Sequence, residues 1–311
     1  VTIVAGLAVL LMAYGTPSSM EDIEPYLTDI RRGHKPALDA VEDLKRRYRR
    51  IGGQSPLLEI TRAQASALKQ KLDSDGLNTQ VYVGMKHWHP YIREVVPQII
   101  NDGFERIITL VLAPHYSRMS IGGYKQALEE AITDSGQLDV DFVESWYDHP
   151  LFHRALQEKI QIALNQFSTP EKVELLFTAH SLPERILQAN DPYPTQLQSS
   201  CQSVANLSQR KHWSFAYQSA GQTNEKWLGP DLIDFLRELT HRRNFTDVLV
   251  VPIGFVADHL EILFDIDVEA QEFARSSGLD LKRTESLNSN PTFISALADI
   301  IQKRRNEGSD S

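Results

Sequence analysis

Short runs rich in Val, Ile and Leu recur along the chain at residues 3–13, 80–85, 107–113, 140–144, 173–178, 214–218 and 248–253. Runs of this apolar character are what buried strands of a parallel sheet look like. Between them, apolar residues repeat at three- and four-residue spacing over 60–72, 92–100, 124–132, 152–167, 232–239 and 260–273, which predicts helices. Strand and helix alternate throughout, so the class is α/β with mainly parallel sheets flanked by helices. The alternation runs twice, before about Tyr147 and after about Pro170. Two similar Rossmann-like halves are therefore expected, 1–150 and 151–311, with the active-site cleft between them. The C-terminal helix could pack back on the first half. No residue-level repeat links the halves. A helix-rich insertion, 21–72, interrupts the first half ahead of its second strand, and insertions of that size commonly cover a ligand site.

The apolar run 1–13 is too short to span a bilayer and has no positively charged leader, so it is expected to be a buried strand and not a membrane anchor. Residues 303–311 are expected to be a frayed tail. Apolar residues at 41% and charged residues at 23% exclude global disorder in the 311-residue chain. A net charge of −9 argues against nucleic acid and against a polybasic membrane-surface role. Cys201 is the one cysteine, which excludes an internal disulfide, a thiolate zinc site and a four-cysteine iron-sulfur cluster, and fits a reducing cytoplasmic setting.

Ligands of open parallel sheets bind beyond the carboxyl ends of the strands. Those positions are rich in phenols and imidazoles here: Tyr14 after the first strand, His87 and His89 after the second, His115 and Tyr116 after the third, then His180 and His259 in the second half. The sequence has no Gly-rich dinucleotide fingerprint after the first strand, no phosphate-binding loop and no Gly-x-Ser-x-Gly elbow, which disfavours nucleotide and serine-hydrolase chemistry.

Two charged segments stand out. Residues 258–272 hold six carboxylates and no Lys or Arg. Read as an α-helix, Asp258, Glu261, Asp265, Glu269 and Glu272 share an arc of roughly 80°. The stripe is either an acidic solvent face or a row of oxygen ligands for a divalent cation. Residues 31–50 carry eight Lys or Arg against three acids. They form either a solvated helix with pairs such as Glu42 and Arg46, or a dock for an anion, with Ser55 placed beside it in the turn 51–56.

The chain resembles ferrochelatases, the enzymes that insert ferrous iron into a porphyrin. The resemblance spans nearly its whole length, through 12–17, 48–56, 84–87, 112–117, 143–147, Ala179-His180-Ser181-Leu182-Pro183, Trp227-Leu228-Gly229-Pro230-Asp231 and Gly254-Phe255-Val256-Ala257-Asp258-His259-Leu260-Glu261. It implies that His180 and Glu261 are the catalytic pair, handling Fe2+ and the pyrrole protons, with Asp265 and Glu269 as outer carboxylates. It also implies that Tyr14, Arg31, Arg47, Tyr48, Ser55 and Tyr124 contact the porphyrin or its propionates, Tyr14 approaching the iron axially, with Lys86, His87 and Trp227 as secondary candidates. Ala13-Tyr14-Gly15-Thr16-Pro17 is similar to the Gram-positive bacterial branch, which metallates coproporphyrin III and is monomeric and soluble. Relatives often carry Glu and Asn where residues 218–223 read Gln-Ser-Ala-Gly-Gln-Thr, a departure on one wall of the site. The implied protein is a cytoplasmic monomer that makes transient contact with neighbouring haem-pathway enzymes. It has porphyrin and Fe2+ as substrates, no resident cofactor and no iron-sulfur cluster.

The chemistry fits those residue types. The two pyrrole N–H protons must leave and the ring must bend to expose its nitrogen lone pairs. Aromatic contacts from Tyr14, Tyr124 and Trp227 could grip it while arginines hold the propionates. An imidazole titrates near neutrality and can accept the protons. A His and carboxylate set releases iron more readily than thiolates would. Other readings of the same residues are a protoporphyrin IX ferrochelatase, a chelatase inserting cobalt or nickel into a sirohydrochlorin-type ring, a non-catalytic haem or porphyrin carrier, and an α/β module binding a sugar or small acid.

Overall fold

The computed structural model describes residues 6–221, 225–241 and 246–309, so the start of the first apolar run (1–5), Gln222, Thr223, Asp310 and Ser311 lie outside the described residues. The chain forms two compact units, residues 1–146 together with 288–311, and residues 147–287.

In the first unit, β1 (Leu7–Ala13) is followed by three helices, α1 (Ile23–Ile30), α2 (Leu38–Arg50) and α3 (Leu57–Ser74). Then come β2 (Thr79–Met85), α4 (Ile92–Asn101), β3 (Arg106–Val111), α5 (Ile121–Ser135) and β4 (Asp139–Val143). The four strands are parallel in the order β2-β1-β3-β4. Alternate residues of a strand face opposite sides of the sheet. Ala8, Leu10 and Met12 pack with α4 and α5 in one buried cluster, while Val9 and Leu11, equally buried, face the other way. Both faces of β1 are covered, which is why its sequence is apolar without alternation.

The C-terminal helix (Pro291–Ser309) completes this unit through the buried side chains of Phe293, Ala296, Leu297 and Ile301. Residues 303–309 continue that helix and are not a frayed tail: Arg304 pairs with Asp141 at 3.3 Å and donates to the Phe142 carbonyl at 3.2 Å.

The second unit runs α6 (Pro150–Leu164), β5 (Glu174–His180), α7 (Tyr193–Leu207), β6 (Ser214–Gln218), α8 (Leu232–His241) and β7 (Asp247–Val251). A π-helix (Ile262–Ala270), α9 (Gln271–Ser277) and β8 (Asp280–Arg283) follow. Its parallel sheet has the order β6-β5-β7-β8, the same order of connection as in the first unit. The fold class expected from the alternation is thus the fold present, twice. Ile262, Ile266, Ala270 and Ala274 pack with α8 against Leu176, Val248 and Val250.

Candidate active site

In the first unit the site grows from the ends of β1 and β2. Their register continues one step past the strands, with Lys86 N–H donating to the Ala13 carbonyl at 2.9 Å and His87 N–H to the Tyr14 carbonyl at 2.9 Å. Tyr14 and His87 therefore emerge side by side, with ring centroids 4.7 Å apart and planes tilted by 58°. Tyr14 is 41% exposed, an unusual state for a phenol at the end of a buried strand. Gly15, at φ +102°, makes the turn that follows, and a Cβ there would lie 2.9 Å from the Trp88 nitrogen. His87 Nδ1 lies 2.8 Å from Asp29 Oδ2 on α1, a partner the sequence did not reveal. Burial holds His87 below the ordinary imidazole range, opposed by its bond to Asp29. Lys86 is also held below its ordinary value by burial, its Nζ 5.2 Å from the centre of the Tyr124 ring.

Arg31, at the C-terminal end of α1, is exposed, with no ion pair among the described residues. On α2, Arg47 Nε bonds Asp43 Oδ2 at 3.0 Å and Arg46 also pairs with Asp43. Glu42 pairs with Lys45 at 3.3 Å and Arg49 at 3.9 Å, not with Arg46 as the sequence suggested, because the i+3 partner takes it. Ser55, partly buried, lies ahead of α3, and its Oγ accepts from Leu57 N–H at 3.4 Å.

Two expected porphyrin contacts are interior residues. Tyr48 is 3% exposed and its hydroxyl is 2.8 Å from Thr16 Oγ1, which ties α2 to the loop after β1. Tyr124 is 5% exposed within the core that α4 and α5 share with β1.

The second unit carries His180, His259 and the acidic segment 258–272. His180 ends β5 opposite Gln218 of β6. Its Nδ1 is 2.5 Å from the Ser181 carbonyl, and because a carbonyl only accepts, the proton sits on Nδ1 and the Nε2 lone pair is left for other work. Tyr193 donates to the His180 carbonyl at 2.9 Å. Burial keeps His180 below the usual imidazole pKa, while the charge of Glu261 pulls the other way.

The turn from β7 to the π-helix is pressed against this strand end. Gly254 N–H donates to the Thr178 carbonyl at 3.2 Å, and a Cβ on Gly254 would come within 2.7 Å of the Ala179 Cβ. Phe255 follows, 6.5 Å from His180 and 4.8 Å from His259 between ring centroids. His259 Nδ1 donates to the Ala257 carbonyl at 2.8 Å, and its Nε2 faces Glu261 Oε2 at 3.2 Å. Gln218 Nε2 donates to the Glu261 carbonyl at 3.2 Å.

Residues 262–270 are π-helical, so the α-helical arc drawn over the acidic stripe does not hold. With i→i+5 bonding a turn takes more than four residues. Glu261, Asp265 and Glu269, spaced by four, stay near one line, while Asp258 and Glu272 leave it. Asp265 is buried and receives a hydrogen bond from Ser219 Oγ; Glu269 is exposed. Asp258 is engaged by Arg283 at 3.2 Å and by Ser286 at 2.7 Å, basic and polar groups that arrive from outside the segment. Among the described residues no three His, Cys, Asp or Glu side chains converge into a ready metal cage. Trp227 packs on Gly221, where a Cβ would come within 2.4 Å of the indole ring.

The ferrochelatase family model matches residues 6–305. The chain belongs to the ferrochelatase family. A ferrochelatase from Herpetosiphon aurantiacus is 43% identical over 301 residues, covering 96% of this chain and 98% of that one. A coproporphyrin III ferrochelatase from Geobacillus kaustophilus is 43% identical over 310 residues, covering 98% of each. Among solved structures, the sirohydrochlorin chelatase SirB from Bacillus subtilis, in complex with cobalt, superposes with a TM-score of 0.58 at 10% identity over 98% of each chain, a likeness of fold alone. His259, Gln218 and Ser219 sit in segments the sequence marked as a whole, but their partners became visible only in three dimensions.

Proposed function

We propose that this family member inserts Fe2+ into coproporphyrin III, giving its iron complex and two protons, with the first unit contributing porphyrin contacts and the second the metal and proton chemistry. One observation carries the chemistry: His180 is a partly buried imidazole with its proton committed to the Ser181 carbonyl, which leaves a neutral Nε2 under the influence of the Glu261 charge. Nε2 accepts a pyrrole proton, and Glu261 with His259, 3.2 Å apart, passes protons onward. Fe2+ is a substrate. Asp265 and Glu269 continue the row from Glu261 as weak oxygen ligands that release it.

Arg31, Arg47 and Ser55 are assigned to the propionates, with Lys86 and His87 beside Tyr14, which approaches the iron axially. Trp227 supplies apolar contact. Tyr48 and Tyr124, being interior, support this surface from beneath. The preference for coproporphyrin III, with four carboxylates, is supported by the excess of basic residues over 31–50 and by the names of several relatives. Catalysis by a cytoplasmic monomer without a resident cofactor belongs to the same proposal. The one cysteine, Cys201, is buried in α7 and burial pushes its thiol pKa up, so it is unsuited to hold a cluster. Among the described residues no helix is long and apolar enough to cross a membrane.

The test is anaerobic mixing of the protein with Fe2+ and coproporphyrin III, then with protoporphyrin IX, followed by absorption spectroscopy. Turnover beyond one equivalent with a preference for coproporphyrin III is expected. A single equivalent bound without turnover would indicate a carrier, and no spectral change with either porphyrin would sink the proposal.

A further inference from the structure

The six carboxylates of residues 258–272 are divided by one guanidinium from another part of the second unit. Arg283, at the end of β8, has its side chain 15% exposed. Its Nε and Nη2 form a fork on Asp267, at 2.6 Å to Oδ1 and 2.8 Å to Oδ2. Nη2 also lies 3.2 Å from Asp258 Oδ1, and Nη1 donates to the Thr284 carbonyl at 3.0 Å. Ser286 Oγ bonds the same Asp258 oxygen at 2.7 Å. Asp258 precedes Glu261 by three residues and Asp267 follows it by six, so the two anchors straddle the point where the π-helix begins. Bidentate pairing fixes direction as well as distance. Partial burial works against the charge of this guanidinium, and the two carboxylates outweigh it.

We propose that Arg283 is a positioning residue for Glu261: it braces the backbone on both sides of that carboxylate and neutralises Asp258 and Asp267. A cation is thereby directed to the row of Glu261, Asp265 and Glu269 and away from two competing acids. A π-helix is a rarely populated conformation and persists where surrounding contacts hold it. Without the brace the segment is free to relax toward α-helical pitch, which turns Asp265 and Glu269 relative to Glu261. This inference rests on the metal role proposed above for that row.

The experiment compares wild type with Arg283→Met, which keeps the unbranched stem and removes the guanidinium, and with Asp267→Asn, which removes one charge at nearly constant volume. Three quantities are read: kcat and KM for Fe2+, porphyrin affinity by fluorescence titration, and binding of Zn2+ in the absence of porphyrin. Arg283→Met is expected to lose at least tenfold in kcat/KM for Fe2+, to keep porphyrin affinity within twofold and to bind Zn2+ more tightly. Asp267→Asn is expected to lose less. Adding Asp258→Asn and Asp267→Asn to Arg283→Met should remove the gained Zn2+ affinity without restoring turnover. Should Arg283→Met fail to fold, Asp267→Asn carries the test alone. An unchanged kcat/KM for Fe2+ in a folded variant, or a parallel loss of porphyrin affinity, overturns the inference. If wild type itself does not metallate a porphyrin, the proposed function fails; if wild type turns over and the variants match it, only the role of Arg283 fails.

Discussion

Committing Nδ1 of His180 to the Ser181 carbonyl makes the side chain a one-sided base, and this has two measurable results. Replacing it, His180→Ala, should cut iron insertion by about 10²–10⁴-fold, the usual range for a lost general base, while a porphyrin titration stays near the wild-type curve. The second result is a pH profile. Burial lowers the imidazole pKa, so the rate should fall on acidification with a midpoint below about 6.5. Glu261 favours the protonated form through its charge; Glu261→Gln therefore moves the remaining acid limb to lower pH, read from rate against pH. Folding stability follows the same sign. The folded state binds fewer protons than the unfolded state at this site, so its contribution is full above the ordinary imidazole pKa and is lost as pH falls toward the lowered one. Asp29 shows what residue types alone conceal: it reads as one more acid on α1, yet it is the partner that orients His87 beside Tyr14.

Among the elements, what could be read from the sequence tracks how each is buried. Seven strands were legible because they are short runs rich in apolar residues. β8 was not: Asp-Leu-Lys-Arg is a short edge strand in which Leu281 is the one buried side chain. The period of α7 is blurred because Ser200, Cys201 and Ala205 stand among its buried positions. A spacing of four slightly overshoots an α-helical turn and slightly falls short of a π-helical one, so the π-helix left no trace in the spacing although the row winds in opposite senses at the two pitches, and the partner that splits those acids lies on β8. On α2 the basic excess was legible but its internal pairing was not. Since Asp43 holds Arg46 and Arg47, Arg47→Ala should weaken a tetracarboxylate porphyrin more than a dicarboxylate one, and Asp43→Asn should not weaken either. Equal losses for the two porphyrins in Arg47→Ala would remove it from substituent recognition. The turn after β7 gives a sharper test of packing. Gly254→Ala puts a methyl group against Ala179, at a cost of about 1–3 kcal/mol in urea unfolding, and it should slow turnover because His259 and Glu261 ride on that turn.

At the scale of the molecule, the two units share one strand order but differ in how the chain makes them. The second is a single continuous stretch, 147–287, whereas the first is assembled from two pieces, with the C-terminal helix returning to it. That helix buries Phe293, Leu297 and Ile301, and losing such side chains costs about 2–5 kcal/mol each, comparable in sum with the whole stability of a typical domain. Deleting residues 288–311 should therefore leave the first unit open to limited proteolysis while cleavage sites within 147–287 stay protected. The same discontinuity sets an order of events during synthesis. The second unit has all its strands once residue 287 has left the ribosome, and the first cannot close until its C-terminal helix, Pro291–Ser309, has followed. The half carrying His180 and Glu261 is thus free to reach its final form ahead of the half made first, whose apolar seat for the C-terminal helix must wait, uncovered, as a natural client for a chaperone.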